Sequence, residues 1–235
     1  MRNLQTTEDG VVLTLAQILT LNQEDAYNDG YDESREVLVH LFEWKYSDVA
    51  EECERFLSKY GYTAVQVSPA AEHIKLYKNS DIPWWVRYQP VSYKICSRGG
   101  DETAFKDMVS RCNNVGIKVI VDVVTNHMAN VNQSGYGWCG SWFDCSDHAE
   151  RFLAVPYDAN DFNDRFCDHA IDNYYDAWNI RKCRLGDLAD INQDDDYTRQ
   201  KLAEYLGTLA AAGVSGFRVD AARNDMCLTR LPIND

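Results

Sequence analysis

Gly216-Phe217-Arg218-Val219-Asp220-Ala221-Ala222-Arg223 reads as a short strand that ends in a carboxylate. Side chains alternate along a strand, so Arg218 and Asp220 share one face and Phe217 and Val219 the other. A guanidinium two residues before a carboxylate on the same face favours the ionised acid. Such an Asp at the end of a buried strand is a candidate nucleophile or charge-stabilising group. The same residues also suit a plain ion pair with no chemistry.

Upstream, residues 197–212 carry Leu202, Tyr205, Leu206 and Leu209 at helical spacing, and Gly213 stops the helix. The same order of helix, Gly stop, short connection and apolar strand recurs. A helix from about Glu102, with Phe105, Met108, Val109 and Cys112 on one stripe, ends at Gly116 and leads to a strand over 118–124. Another begins near Ser47, a candidate N-cap, carries Val49, Cys53, Phe56, Leu57 and Tyr60, and leads past Gly61 to a strand over 64–68. The first strand, 36–42, is apolar on both faces, which predicts a parallel strand buried on two sides. Residues 48–67, 102–124 and 197–220 thus repeat one unit, and right-handed crossovers between parallel strands are expected. The unit alone does not choose between an open doubly wound sheet and a closed barrel.

Two stretches break the pattern. Residues 72–89 form a long connection holding Trp84, Trp85, Arg87 and Tyr88. Residues 125–196 hold four cysteines, many Asp and Asn, and little periodicity, which predicts an irregular insertion at the carboxyl end of the third strand. Asp122 shares a face with Ile120 in that strand and would point where Arg218 and Asp220 point if both strands lined one barrel. Asn126 and His127 follow just beyond its end. The run Asp194-Asp195-Asp196 reads as a solvated helix start.

The 235 residues are 45% hydrophobic and 26% charged, within the range of a globular protein of one large or two small domains. A net charge of -14 without a basic run argues against nucleic acid and anionic membrane as partners. No apolar run approaches the ~20 residues of a membrane span. Eight cysteines without zinc spacing predict disulfides and an oxidising, extracellular location. Asn132-Gln133-Ser134 is a glycosylation sequon. Residues 1–35 read as a leader and linker: 11–21 have the length of a degraded signal h-region, and an acidic, polar stretch follows.

Val121-Asp122-Val123-Val124-Thr125-Asn126-His127 and Gly216-Phe217-Arg218-Val219-Asp220-Ala221 resemble two signature segments of the alpha-amylase family. His40-Leu41-Phe42-Glu43-Trp44, Val65-Gln66-Val67-Ser68-Pro69, Arg111-Cys112-Asn113-Asn114-Val115-Gly116 and the run from Pro83-Trp84-Trp85 to Ser92-Tyr93-Lys94 are similar to the animal-type members. The resemblance spans about residues 36–224. It implies a (β/α)8 TIM-type barrel, with the partial barrel at 36–124 and 197–235 and an inserted calcium-binding subdomain at 125–196. It implies endo-hydrolysis of α-1,4-glucosidic bonds in starch and glycogen, with retention, by a secreted protein that is a monomer when complete.

Residue by residue, the resemblance makes Asp220 the nucleophile and Arg218 its neighbour and a chloride ligand. It places His127, Tyr88, Gln89, Trp84 and Trp85 against the sugars. It gives calcium the side chains of Asn126 and Asp190 and the backbone carbonyls of Arg181 and Asn224. The family usually has His where Asn224 stands; a carbonyl ligand survives that exchange, whereas a His side-chain contact to substrate does not. The implied disulfides are Cys53–Cys112, Cys96–Cys139 and Cys167–Cys183, leaving Cys145 and Cys227 free or paired with each other or another chain. No segment matches the family's acid/base Glu or its second Asp. About four of eight β/α units are therefore expected, in a truncated form with little activity. The competing expectation is a non-catalytic, amylase-like sugar-binding or interaction protein.

Overall fold

The computed structural model describes residues 37–76, 81–146 and 149–224; the leader, the linker and Cys227 lie outside them. The chain opens with β1 (Leu38–Leu41) and helix α1 (Tyr46–Arg55), then a 3-10 turn, Leu57–Lys59, and β2 (Ala64–Val67). A hairpin of β3 (Ala71–His73) and β4 (Pro90–Ile95) encloses the 3-10 helix Trp84–Tyr88. Helix α2 (Glu102–Asn114) leads to β5 (Lys118–Val123). Next come β6 (His127–Asn130), β7 (Ser134–Tyr136), β8 (Trp142–Asp144), β9 (Arg151–Phe152), helix α3 (Ala177–Lys182) and β10 (Leu188–Asp190). Helix α4 (Asp196–Ala211) and β11 (Gly216–Val219) close the described chain.

The frame is a parallel sheet in the order β1-β2-β5-β11. Its strands are short and Val-rich because β-branched side chains pack well on a pleated surface. Val65, Val119, Val121 and Val123 are fully buried. Helices α1 and α2 bury Val49, Ala50 and Cys53 against the Phe105, Met108, Val109 and Cys112 stripe, and Cys53–Cys112 joins them. Each such Val, Met or Phe contributes about 1.5–3 kcal/mol by leaving water. A second core surrounds Met128, Phe143, Phe152, Tyr157, Phe162 and Ile191, within the segment after β5. Cys96–Cys139 ties that segment to the end of β4, and Cys167–Cys183 closes its own small cluster. All three bridges are the ones the resemblance implied, and Cys145 is free and buried.

Three local expectations are corrected. Ser47 does not cap α1, since its hydroxyl donates to Asp48 instead. Lys45 stands at the N-cap with no side-chain bond, and Tyr46 anchors the turn. The Tyr46 N–H donates to the Gly99 carbonyl, and its buried hydroxyl meets Ser97 Oγ. Gly100 permits this approach: at φ 144° a Cβ there would lie 2.8 Å from the Tyr46 ring. Residues 72–89 are not a plain connection, because most of β3 and the whole 3-10 helix fall inside them. Finally, the first strand is not buried on both faces: Val37 and Leu38 are each 48% exposed. It lies at one end of the strand order, where a neighbour pairs with it on one side only.

Glu150 is buried close to Asp164. Burial, reinforced by that second carboxylate, pushes its pKa well above the usual carboxylate range. A folded-state pKa above the unfolded one means that folding takes up a proton. The stabilisation is then complete below the unfolded value and is lost as pH rises toward the folded one. Glu150→Gln is therefore expected to melt higher than wild type near pH 8 and about equally near pH 5. A variant that melts lower at the alkaline end contradicts this.

Candidate active site

Alternation along β11 and its register with β5 assemble the centre. Arg218 pairs with Asp122 across the ladder. Arg218 Nη1 donates to both Asp122 oxygens at 2.9 Å and to Asp220 Oδ1 at 2.7 Å. Asp220 N donates to the Val123 carbonyl, so the ladder runs one residue past the strand and fixes the Asp220 backbone. Ala221 then turns the chain at φ 50°, a left-handed conformation costly for a residue with a Cβ and concentrated at functional sites.

The two carboxylates differ in access. The Asp122 side chain is 1% exposed and that of Asp220 is 19% exposed, so of the two only Asp220 can meet a substrate. Burial pushes the Asp122 pKa up to about 6, against hydrogen bonds from Arg218 and Tyr88 that hold it down. Tyr88 Oη donates to Asp122 Oδ2 at 2.8 Å, and burial raises the phenol's pKa. Asp122 therefore orients Arg218 and Tyr88 and is shut off from the cleft.

One wall is aromatic. The 3-10 helix turns Val86 and Arg87 inward and leaves Trp84, Trp85 and Tyr88 on the cleft side. Arg87 staples it from below, donating to the Pro69 carbonyl from Nη2 at 2.6 Å and to Ser97 Oγ at 3.1 Å. Trp84 and Tyr88 meet edge to face with centroids 5.9 Å apart. A cleft of about 480 Å³ runs along this wall, lined by Trp84, Trp85, Tyr88, Gln89, His127, Leu185, Leu188, Arg218 and Asp220. His127 Nε2 lies 3.0 Å from the Tyr88 carbonyl, and burial lowers the pKa of its ring. Gln89 Oε1 accepts from the Asn130 backbone at 3.2 Å, tying the wall to β6.

Asn126, next to His127, meets Asp190. Asp190 Oδ1 accepts from Asn126 Nδ2 at 3.1 Å, and Oδ2 accepts from Asn163 Nδ2 at 2.7 Å. Burial pushes the Asp190 pKa up to about 8. Lys182, the residue after Arg181, donates to Asn163 Oδ1 at 3.0 Å. Asn224 Nδ2 reaches the Ile180 carbonyl, just before Arg181, at 3.2 Å. The four expected calcium-ligand segments are thus linked by short contacts. A buried carboxylate bonded to two amides suits a hard cation, each amide offers an oxygen when turned over, and the nearby Lys182 ammonium already supplies part of the positive charge. Asn163 is not singled out by the sequence, where nothing in Asp161-Phe162-Asn163-Asp164 marks it. Leu185, Leu188 and the Tyr88 hydroxyl bond are likewise beyond what the sequence foretells. Cys167, His169 and Cys183 also cluster, but the two sulfurs are joined in a disulfide.

A parallel β/α frame with its polar centre at the carboxyl ends of adjacent strands is the arrangement of β/α-barrel and open doubly wound enzymes alike. Residues 55–232 match the profile of the alpha amylase catalytic domain. The chain is 50% identical to pancreatic alpha-amylase of Rattus norvegicus over 200 residues, covering 84% of this chain and 39% of that protein. It is 47% identical to pancreatic alpha-amylase of Homo sapiens over 203 residues, with the same coverage. The crystal structure of alpha-amylase I from Eisenia fetida superposes with a TM-score of 0.76 at 43% identity, covering 81% of this chain and 38% of that one. A second structure of that Eisenia fetida protein is a variant in complex with maltohexaose. The chain belongs to the alpha-amylase family, and it spans about two fifths of the length of the relatives it matches.

Proposed function

We propose that this chain supplies the nucleophile-bearing part of a retaining alpha-amylase that cleaves internal α-1,4 bonds of starch and glycogen. The carrying observation is Asp220: it is the only carboxylate among the described residues that line the aromatic-walled cleft, and Arg218 holds it. The sheet is read as one arc of a (β/α)8 barrel, and residues 125–196 as the subdomain inserted after its third strand.

Trp84, Trp85 and Tyr88 offer flat faces to pyranose C–H surfaces. Gln89 and His127 provide the polar contacts that fix one sugar over Asp220. The Asp220 carboxylate attacks the anomeric carbon and forms a covalent glycosyl ester as the C1–O4 glycosidic bond breaks and the departing O4 takes a proton from a general acid; water then opens the ester with net retention. Arg218 holds the attacking carboxylate in place, and Asp122 and Tyr88 form the chain of bonds behind it. Retaining chemistry needs a second carboxyl about 5–5.5 Å from the first to act as acid and base. Buried Asp122 does not meet that need, and the described cleft residues offer no other. Little turnover is therefore expected from the described residues alone.

Calcium fits the Asn126, Asp190, Arg181 and Asn224 group, where it would neutralise Asp190 and pin the inserted subdomain to the frame. Chloride fits Arg218, the one cationic side chain among the described residues lining the cleft. Calcium at about 100 times its Kd should stabilise the fold by about 2.7 kcal/mol. A chelator should lower Tm accordingly, and Asp190→Asn should abolish the response; a chelator-insensitive melt contradicts the assignment.

The test grafts residues 37–224 in place of the matching segment of rat pancreatic alpha-amylase and assays soluble starch beside the chain alone. The graft should release short α-configured maltooligosaccharides, and the chain alone should release almost none. An inactive but folded graft, or equal turnover by both, overturns the proposal.

A further inference from the structure

The sequence contains one Asn-X-Ser/Thr sequon, Asn132-Gln133-Ser134, and the catalytic reading makes no use of it. A glycan on such a sequon is compatible with the fold only where the Asn side chain stands at the surface. That condition holds. Asn132, in the turn between β6 and β7, and Ser134, the first residue of β7, are both exposed. The backbone is pinned beneath them: Asn132 N donates to the Cys145 carbonyl at 2.8 Å, and Cys145 N donates to the Gln133 carbonyl at 2.7 Å. Asn132 has φ 64°, the left-handed region that Asn tolerates better than most residues. The middle residue of the sequon is Gln133, so no proline obstructs transfer.

The surroundings also suit a sugar. Ser134 and Tyr136 lie on the exposed face of β7, and Tyr136 is 65% exposed. A groove of about 460 Å³ runs beside them, lined by residues 74–76, 132–136 and Phe143. Its size lies within the ~300–1,000 Å³ of small-ligand pockets. The flat Tyr136 ring is the kind of surface on which a pyranose rests. Three disulfides are consistent with passage through an oxidising compartment, where the transferase works.

We propose that Asn132 is an N-glycosylation site whose first sugar lies in the groove beside Tyr136. The donor is a lipid diphosphate-linked oligosaccharide. Asn132 Nδ2 forms a bond to the anomeric carbon of the first sugar, the bond from that carbon to the phosphate oxygen breaks, and the lipid diphosphate leaves with the electron pair. The amide proton passes to a base of the transferase. The proposal is independent of the hydrolase reading, since a non-catalytic chain would carry the same glycan.

The test directs the full chain into the endoplasmic reticulum of cultured animal cells behind a cleavable signal. Wild type should carry one glycan, and Asn132→Gln and Ser134→Ala should each abolish it while the disulfides still form. Transfer precedes folding, so a folding defect in a variant would not mask the readout. Tyr136→Ala should keep the glycan but, in the native protein, lose it to peptide N-glycosidase several-fold faster than wild type. Unmodified wild type with its disulfides formed, or a glycan that persists in Asn132→Gln or Ser134→Ala, would overturn the site. Equal release from wild type and Tyr136→Ala would overturn the groove as the sugar's seat.

Discussion

Asp220→Asn, made in the graft of residues 37–224 into rat pancreatic alpha-amylase, should lower kcat on amylose by roughly 10⁴–10⁶-fold, the loss seen when a member of a catalytic unit is removed. The amide keeps the shape and still accepts a hydrogen bond from Arg218, so the cleft should survive. What it loses is the charged oxygen that is proposed to bond to carbon. Maltohexaose affinity should change little, because the aromatic wall of Trp84, Trp85 and Tyr88 is untouched. A variant retaining more than about a tenth of wild-type kcat would remove Asp220 from the mechanism.

Replacing Cys53 and Cys112 together by Ser should be the most damaging change to the fold. Their bridge spans 59 residues of sequence. Chain entropy puts its contribution at about 4 kcal/mol, against about 3 kcal/mol for a loop as short as that of Cys167–Cys183. For a domain of this size the first loss corresponds to a fall in Tm of roughly 8–16 °C. The bridge also lies inside the contact between α1 and α2, where both cysteines are fully buried, so Ser adds a desolvation cost. A melt within about 2 °C of wild type would show that helix packing alone holds this edge of the frame.

The centre was legible because it rests on short-range rules. Period-two alternation puts Arg218 and Asp220 on one face, and the repeated helix, Gly stop and strand put Asp122 near the end of another parallel strand; that the two strands are neighbours is seen only in the sheet order. The stripe of Phe105, Met108, Val109 and Cys112 was legible for the same reason. Contacts between distant segments were not. Tyr88 and Asp122 are 34 residues apart, and no local pattern links a phenol to that carboxylate. Asn163 holds Asp190 from 27 residues away, in a stretch without periodicity. The β3–β4 hairpin was hidden because β3 has three residues, too few to show alternation. The exposure of Val37 and Leu38 was missed because an apolar run reports which side chains can be buried, not what covers them. Ser47 lost its expected cap to Tyr46, whose burial outweighs one side-chain hydrogen bond.

The resemblance carried the rest of the site. Without it the cleft residues Trp84 and Trp85 read almost as well as core, and Asn126 as a polar loop start. The structure sets Trp84 outward at 55% exposure and joins Asn126 to Asp190, which is how each would serve the proposed function.

Covalent trapping tests the central claim most directly. The grafted enzyme would be incubated with a fluorinated maltosyl fluoride, which forms the glycosyl ester faster than water releases it, and its peptides would be weighed by mass spectrometry. One added fluorinated maltosyl group on the peptide that carries Asp220, with the anomeric fluoride released, and absent from Asp220→Asn, is the predicted result. A label on any other side chain, or turnover with no label at all, would contradict the account.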